Sequence, residues 1–377
     1  MLKPFRIKTD IYQFETCHAF VEAFSVGRRD IILTNPTYYE GYFDQQNHGA
    51  TVIYYKDFGS GEPTEPMVEA IYKKIKEIPF ERLIAIGGGS IIDIAKLLVQ
   101  ETVLPVSGLY EKVIATKKVK ELIVIPTTCG TGSEVTNVSV IDVVSLGSKM
   151  GLQSDDLFPD HAVLIPEMMK GLPYKVFATS SIDALIHAIE SFLSPKATTM
   201  SELFSISAIK MILEGYTAIQ LHGKECHQRD LEIYLLASTY AGIAFGNAGC
   251  AAVHAMSMPL GGMYHVAHGE SNYCLLMAVL QCYEKNKPGG KIDALKEVIG
   301  SILNVANDRA LHALQSTLEV ILPFKFLEEY GVSDSDLSKF TSIVIEKQGR
   351  LMANNYMLID SEMILKIYQS IFKRPKA

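Results

Sequence analysis

The segment Arg82–Gln100 reads RLIAIGGGSIIDIAKLLVQ. A short apolar run, Arg82–Ile86, ends at three consecutive glycines, and an apolar helical pattern follows from Ile91 to Gln100. An apolar run bounded by glycine is typical of a buried strand, and the pattern that follows it is typical of a helix. The segment therefore predicts a strand, a tight turn and a helix, which is the repeating unit of a parallel α/β domain.

The chain around this segment divides into two parts of different character. Strands are predicted at 30–34, 50–55 and 122–125 and a helix at 66–75, whereas after Pro173 long helical patterns follow one another, at roughly 175–193, 200–220, 229–245, 271–283, 308–322, 333–347 and 361–373. We therefore predict an α/β N-terminal domain with a mainly parallel sheet (residues 1–173), followed by an all-α C-terminal domain (residues 174–377).

Composition limits the class of protein. The 377 residues are too many for one small core and favour two domains. The net charge of −7, without a cluster of Lys and Arg, argues against a nucleic-acid partner. We expect no membrane partner and a cytoplasmic location, because no signal sequence and no apolar run of membrane-spanning length is seen. Six cysteines without a C-x-x-C pair indicate neither a zinc knuckle nor a disulfide framework.

Two loops that follow predicted strands are candidates for nucleotide binding. Gly87, Gly88, Gly89 and Ser90 would allow close approach of a ligand, and the N–H groups of the following helix could bind a pyrophosphate. The stretch is not the G-x-G-x-x-G pattern, and a tight turn without a ligand is the alternative. The second loop, Thr127–Glu134, could contact a ribose, a phosphate or a nicotinamide amide, or be an ordinary polar turn.

A third group of residues has the chemistry of metal ligands. Asp183 and His187 are four residues apart in a predicted helix and therefore share one face. His254, His265 and His268 fall within fifteen residues, in an apolar setting where an unpaired imidazole would be costly to bury. The alternatives are a solvated Asp–His pair and a cluster of hydrogen-bonded core histidines.

The chain resembles the iron-containing (group III) alcohol dehydrogenase family over most of its length. The resemblance is carried by four segments: GGGSIIDIAK (87–96), PTTCGTGSEVTNVS (126–139), SSIDALIHA (180–188) and YAGIAFGNAG (240–249). It implies a metal-dependent NAD(P) oxidoreductase that transfers hydride between an alcohol and the nicotinamide. The α/β N-terminal domain (residues 1–173) would then be a dinucleotide-binding domain, and the all-α C-terminal domain (residues 174–377) would bind metal and substrate. Within the family, the motifs are most similar to those of members that interconvert 4-hydroxybutyrate and succinate semialdehyde.

The resemblance also implies the residues of the site. One divalent metal, Fe²⁺ with Zn²⁺ as the alternative, would be bound by Asp183, His187, His254 and His268. The nucleotide would be bound by Gly87, Gly88, Gly89, Ser90, Asp93, Thr127, Thr128 and Thr131. Lys149 matches a family lysine near the nicotinamide ribose. Relatives are commonly dimers or larger assemblies, so a homo-oligomer is expected.

Two positions depart from the family pattern. Met258 stands where many members have a further active-site histidine, and His265, which many relatives lack, is the candidate to carry the proton in its place. Asn35 stands where many NAD-using members have Asp. An Asp there would repel a 2′-phosphate, whereas Asn does so less, so NAD is expected without NADP being excluded.

Three other functions remain open at this point. A general primary alcohol or 1,2-diol dehydrogenase would need no group for a substrate carboxylate, for which His265, Tyr264 and Arg350 are the candidates. A dehydroquinate-synthase-like enzyme would need a cluster of Lys and Arg. A nucleotide- and metal-binding protein without turnover would keep both sites but no reaction.

Overall fold

The computed structural model describes residues 5–44 and 48–374. The chain separates into two compact units, and each is described by itself. The first is Ile7–Leu172, and the second is formed by the residues from Pro173 onward together with Phe5 and Arg6.

A parallel sheet forms the centre of the first unit. The elements of this unit are the strands β1 (Asp10–Gln13), β2 (Asp30–Thr34), β3 (Thr51–Tyr54), β4 (Arg82–Gly87), β5 (Glu121–Pro126), β6 (Val138–Val143), β7 (Ser148–Gln153) and β8 (His161–Leu164), and the helices α1 (Cys17–Ala23), α2 (Pro36–Tyr42), α3 (Glu65–Ile75), α4 (Gly89–Leu98) and α5 (Val106–Tyr110). The six strands of the sheet have the order β1-β8-β5-β4-β2-β3, and all neighbouring pairs are parallel. A separate two-stranded antiparallel sheet, β6–β7, was not predicted.

Both faces of this sheet are buried, which explains why its central strands are apolar between their end residues, the first of which is charged in β2, β4 and β5. Leu83 and Ala85 of β4 point into the core that contains α3 and α4, whereas Ile84 and Ile86 point into the core that contains α1. Successive side chains of a strand alternate between faces, so a strand covered on both sides has no polar positions. The predicted α/β class with a parallel sheet is confirmed.

Helices make up the second unit, and no strand is found between Pro173 and Arg374. The helices are α6 (Tyr174–Leu193), α7 (Thr199–His222), α8 (Leu231–Ala248), α9 (Ala252–Tyr264), α10 (His268–Asn286), α11 (Lys291–Leu303), α12 (Ala310–Ile321), α13 (Asp334–Lys347), α14 (Gly349–Met352) and α15 (Ser361–Ser370). The sequence did not predict α9, α11 or the short α14. Helix α9 continues through Pro259 and two glycines, residues that ordinarily interrupt a helical pattern.

Phe5 and Arg6, at the start of the described chain, pack with the helical unit. Asn247 of α8 accepts a hydrogen bond from the Arg6 backbone N–H at 2.7 Å and donates one to the Arg6 carbonyl at 2.9 Å. The Phe5 ring stacks on Phe204 with centroids 5.8 Å apart. These contacts attach Phe5 and Arg6 to the helical unit, and nothing in the local sequence signals them.

Helix α6 is long and apolar enough to cross a membrane by length and composition alone. However, 83% of its most apolar window is buried inside the protein. The helix begins after Pro173, contains no Gly or Pro, and ends before Pro195, which disfavours helical backbone at Ser194. It is therefore a buried core helix, and it supplies two of the predicted metal ligands.

Candidate functional site

Three of the four predicted metal ligands converge within the helical unit. Asp183 Oδ1 lies 3.8 Å from His254 Nε2 and 3.9 Å from His268 Nε2. Asp183 lies in the middle of α6, His254 in the first turn of α9, and His268 is the first residue of α10. Asp183 and His254 are only 3% and 4% exposed, so they approach each other away from bulk water.

His254 is held in one orientation by a carboxylate that the sequence analysis did not single out. Glu190 Oε2 lies 2.6 Å from His254 Nδ1, and the same carboxylate accepts hydrogen bonds from the backbone N–H groups of Ala251 and Val253. Glu190 thus fixes both the ring and the start of α9. His254 Nε2, on the far side of the ring, is buried and forms no hydrogen bond with the described part of the chain. A histidine held through one nitrogen, with the other facing further ligands, is typical of a metal site.

Asn272 fixes the other side of this group. Its Nδ2 donates to Asp183 Oδ1 at 2.7 Å and lies 3.2 Å from His268 Nε2. Asn272 is fully buried and stands one turn after His268 in α10. Spacing could have indicated both supporting residues: Glu190 is three residues after His187, and Asn272 is four after His268, so each shares a helix face with a predicted ligand.

His187, the fourth predicted ligand, lies beside His254 rather than within the group of Asp183, His254 and His268. Its ring stacks on His254 with centroids 4.5 Å apart and on Phe245 with centroids 4.3 Å apart. A ring nitrogen of His187, a ring nitrogen of His254 and the Cys250 thiol lie within 4.8 Å of one another. His254 therefore belongs to two groups of possible ligands, and Cys250 was not predicted to be in either.

Charge is concentrated in this buried cluster. Burial favours the neutral acid at Asp183, but the nearby His187, His268 and His254 outweigh it and hold the pKa of Asp183 below its usual value. Burial also opposes protonation of His254, but Cys250 and Glu190 outweigh it and raise the pKa of His254 well above its usual value. The two buried carboxylates, Asp183 and Glu190, are therefore stabilised by positive charge nearby, which protons or a divalent cation can supply.

The glycine-rich turn of the first unit packs against the second predicted loop. Strands β4 and β5 are neighbours, with Gly87 paired to Pro126, so the residues that follow them meet at one edge of the sheet. A Cβ atom at Gly89 would lie 2.8 Å from Thr131 Cγ2, and one at Gly88 would lie 3.4 Å from Thr128 Oγ1. Helix α4 begins at Gly89, where no side chain caps the helix. Such a turn presents backbone N–H groups to an anion.

Further polar atoms line the same edge. The Thr127 hydroxyl is fully buried, and neither it nor Asn35 Oδ1 hydrogen bonds to a described residue. Ser90 Oγ donates to the Gly61 carbonyl at 3.3 Å. Asp93 differs, because its carboxylate already accepts hydrogen bonds from Ser133 Oγ at 2.6 Å and from the Val140 backbone at 2.8 Å. Its contacts hold neighbouring segments of the protein together.

Lys96 is a fully buried cation next to Asp93. Its ammonium group donates to Ser133 Oγ at 2.6 Å and to the Val138 carbonyl at 2.7 Å, and lies 3.6 Å from Asp93 Oδ1. Burial lowers the pKa of Lys96 to about 8, against the opposing charge of Asp93. The pair connects α4 to the segment that carries the threonine loop.

Replacing Lys96 with Met should destabilise the protein by about 3–5 kcal/mol, because Asp93 would remain buried without its cation. A urea unfolding curve measures this. Lys73→Met is the matched control, since Lys73 is exposed and its pair with the half-buried Glu69 should contribute less than about 1 kcal/mol. Equal unfolding midpoints for the two variants would contradict the structural role of Lys96.

Four of the polar residues named from sequence lie outside these groups. Lys149, on β7, forms an ion pair with Glu62 at 2.7 Å. His265 is exposed, ends α9 in a left-handed conformation (φ 54°), and belongs to neither group of possible metal ligands among the described residues. The Tyr264 hydroxyl donates to Asp336 at 2.8 Å, and Arg350 is exposed on the short helix α14.

Sequence comparison identifies the family. The model of iron-containing alcohol dehydrogenases matches residues 6–166, and that of the C-terminal part of the Fe-containing alcohol dehydrogenase family matches residues 177–372. The chain belongs to the iron-containing alcohol dehydrogenase family. The resemblance seen in the four sequence motifs is confirmed, and it extends over both structural units.

Individual members of this family align along almost the whole chain. The chain is 42% identical to 4-hydroxybutyrate dehydrogenase of Clostridium kluyveri, over 98% of this chain and 100% of that protein. It is 32% identical to long-chain-alcohol dehydrogenase 1 of Geobacillus thermodenitrificans, over 91% and 89%. Sulfoacetaldehyde reductase from Bifidobacterium kashiwanohense, solved in complex with NAD⁺, shares the fold of this iron-containing alcohol dehydrogenase. Its TM-score is 0.85 and its identity 24%, with 98% of this chain and 99% of that chain covered.

Proposed function

We propose that this protein is a metal-dependent dehydrogenase that interconverts 4-hydroxybutyrate and succinate semialdehyde, with NAD as the hydride carrier. The structural observation that carries the metal dependence is the buried His254 Nε2, which faces Asp183 and His268 while Glu190 binds the other ring nitrogen. The substrate is supported by the relative from Clostridium kluyveri, which aligns from end to end.

A divalent ion fits the residues of the helical unit. Asp183, His187, His254 and His268 would hold it, and imidazole and carboxylate donors suit both Fe²⁺ and Zn²⁺. We propose Fe²⁺ as the native ion, from the family, with Zn²⁺ able to replace it. When bound, the ion would act as a Lewis acid on the substrate oxygen and lower the pKa of the hydroxyl group.

The residues of the chain prepare this site for the ion. Glu190 keeps a proton on His254 Nδ1, so that Nε2 offers its lone pair to the ion. Asn272 positions the Asp183 oxygen that faces the two histidines. In the oxidation, the carbinol carbon gives a hydride to the nicotinamide ring and the hydroxyl proton passes to solvent, leaving an aldehyde and reduced cofactor.

We propose that His265 carries this proton, since its exposure gives it access to solvent. Its left-handed backbone conformation is one that Asn tolerates well, so His265→Asn is a conservative test. This variant should lower kcat by about a hundredfold, the low end for loss of a general acid or base, with its metal content unchanged. If kcat and its pH profile were unchanged, His265 would not carry the proton and would serve only as the residue that ends α9.

The cofactor is assigned to the glycine turn and the threonine loop. Gly88, Gly89 and Ser90 would bind the pyrophosphate at the start of α4, next to Gly87. Thr127, Thr128 and Thr131 would line the nucleotide, and Asn35 Oδ1 would accept a hydrogen bond from the ribose. Lys149 would lie near the nicotinamide ribose. Asp93 would support the turn through its contacts with Ser133 and Val140. NAD is proposed over NADP because Asn35 offers no positive charge for a 2′-phosphate.

Gly88→Ala should weaken NADH binding about tenfold, which corresponds to about 1.4 kcal/mol, with little loss of stability. The added Cβ would lie at ordinary contact distance from Thr128, so the fold can accept it while the space for a phosphate shrinks. Calorimetric titration with NADH measures the affinity. Gly41→Ala is the matched control, because a Cβ there meets no atom within 4 Å. Equal NADH affinity in the two variants would show that the pyrophosphate does not bind at this turn.

The reaction itself is tested with protein reloaded anaerobically with Fe²⁺ and offered 4-hydroxybutyrate and NAD⁺. The proposal predicts formation of NADH that depends on the ion. Formation of no reduced cofactor from either NAD⁺ or NADP⁺ would contradict it.

We further propose a homo-oligomer that acts in the cytoplasm on water-soluble substrates, as expected for the family. Light scattering coupled to size-exclusion chromatography measures the assembly, and a monomer at micromolar concentration would contradict it.

A further inference from the structure

Cys250 is a possible metal ligand that the family pattern of one aspartate and three histidines does not include. Its thiol lies within 4.8 Å of a ring nitrogen of His187 and of His254. The residue is 9% exposed and lies in the short segment between α8 and α9. Its sulfur therefore faces the same buried cluster as the carboxylate and imidazole ligands.

The backbone around Cys250 is fixed in place by contacts from distant parts of the helical unit. Asn354 Nδ2 donates to the Ala248 carbonyl at 2.8 Å and to the Cys250 carbonyl at 3.2 Å. Glu190 accepts the next backbone N–H, that of Ala251, at 3.0 Å. Gly249, at φ 82°, leaves no room for a side chain, because a Cβ there would lie 2.8 Å from Asn354 Nδ2. These contacts hold the Cys250 backbone beside the cluster before any ion binds.

The two groups that meet at His254 differ in chemistry. Asp183, His254 and His268 offer one oxygen and two nitrogens, whereas His187, Cys250 and His254 offer two nitrogens and one sulfur. Thiolate ligands favour soft or borderline ions such as Zn²⁺ and Co²⁺, whereas carboxylate is a harder ligand. The buried His254 Nε2, which hydrogen bonds to no described residue, indicates that a ligand belongs in the cluster where the two groups meet.

We propose that Cys250 is an additional metal ligand of this chain, and that with His187 and His254 it forms a second, sulfur-containing position for a thiophilic divalent ion. The inference rests on the metal centre proposed above. The thiol would release its proton to solvent as the sulfur binds the ion. An ion in this position would be drawn away from Asp183 and His268, so the identity of the metal would decide where it sits.

Titration with Co²⁺ separates the two proposals, because this ion reports its ligands in its absorption spectrum. Metal-stripped full-length protein should develop visible ligand-field bands together with a near-ultraviolet thiolate-to-cobalt charge-transfer band. Cys250→Ser should keep the ligand-field bands and lose the charge-transfer band. Cys226→Ser is the matched control, a buried cysteine of the same unit outside the cluster, and it should keep both.

The outcomes are distinct. Ligand-field bands in the wild-type protein without a charge-transfer band would overturn the role of Cys250 and leave the metal centre standing, as would a charge-transfer band that persists in Cys250→Ser. Failure to bind Co²⁺ would overturn the metal centre and the second position together. Competition between ions gives a further check, since Cys250→Ser should weaken Zn²⁺ binding about tenfold relative to Fe²⁺.

Discussion

His254→Ala should abolish metal binding and lower kcat/KM by about a thousandfold or more. His254 belongs to both groups of possible ligands and supplies a buried nitrogen that forms no hydrogen bond with the described residues. A Lewis acid contributes several kcal/mol to such a reaction, and about 4 kcal/mol corresponds to a factor of about a thousand. Metal content by mass spectrometry and steady-state rates with reloaded protein measure the two effects.

The same variant should bind NADH as the wild-type protein does, because the glycine turn belongs to the other structural unit. His227→Ala is the matched control. His227 is also a buried histidine of the helical unit, but it packs against the Phe177 ring and lies outside both ligand groups. It should keep its metal even if it loses stability. A His254→Ala protein that retains one equivalent of metal would rule out the proposed ligand.

Glu190→Gln should weaken metal binding by about 10- to 100-fold without abolishing it, the usual effect of removing the partner that orients a metal-binding histidine. The amide keeps the size of the carboxylate but offers only one acceptor oxygen. In the wild type, two oxygens accept from three donors: His254 Nδ1 and the N–H groups of Ala251 and Val253. At least one donor would lose its acceptor, and the charge that favours the Nδ1 proton would be gone.

Competition with a chelator of known affinity measures this change. Glu202→Gln is the matched control, since Glu202 is a half-buried glutamate of the same unit that pairs with Lys291 at 2.8 Å. Its metal affinity should not change. Equal affinities for the two variants would show that Glu190 holds only the start of α9 and does not act through His254.

Local patterns predicted the elements that depend on local sequence. The apolar strand before Gly87 and the uninterrupted helix around Asp183 follow directly from periodicity and from the positions of Gly and Pro. Helix α9 was missed because Pro259 and its glycines look like a break, whereas packing in the folded unit maintains the helix. Strand β1 was missed because all four of its residues are exposed at a sheet edge and show no buried pattern.

The metal ligands could be named in advance only through the family, and their supporting residues could not. Asp183 and His187 share a helix face by spacing, but nothing local connects them to His254 or His268, more than sixty residues later. Glu190 and Asn272 acquire their roles from contacts between helices, which one sequence does not display. The place of Cys250 beside the histidines likewise depends on contacts between distant segments. Asn354 and Glu190 hold the turn between α8 and α9 that carries this cysteine.

The most direct test of the proposed function compares two aldehydes with the Fe²⁺-reloaded enzyme, succinate semialdehyde and butyraldehyde, each with NADH and with NADPH. The two substrates differ mainly in the terminal carboxylate. We expect kcat/KM to be at least about a hundredfold higher for succinate semialdehyde, as recognition of a carboxylate contributes about 3 kcal/mol, and higher with NADH than with NADPH. Equal kcat/KM for the two aldehydes would contradict the 4-hydroxybutyrate assignment and favour a general alcohol dehydrogenase.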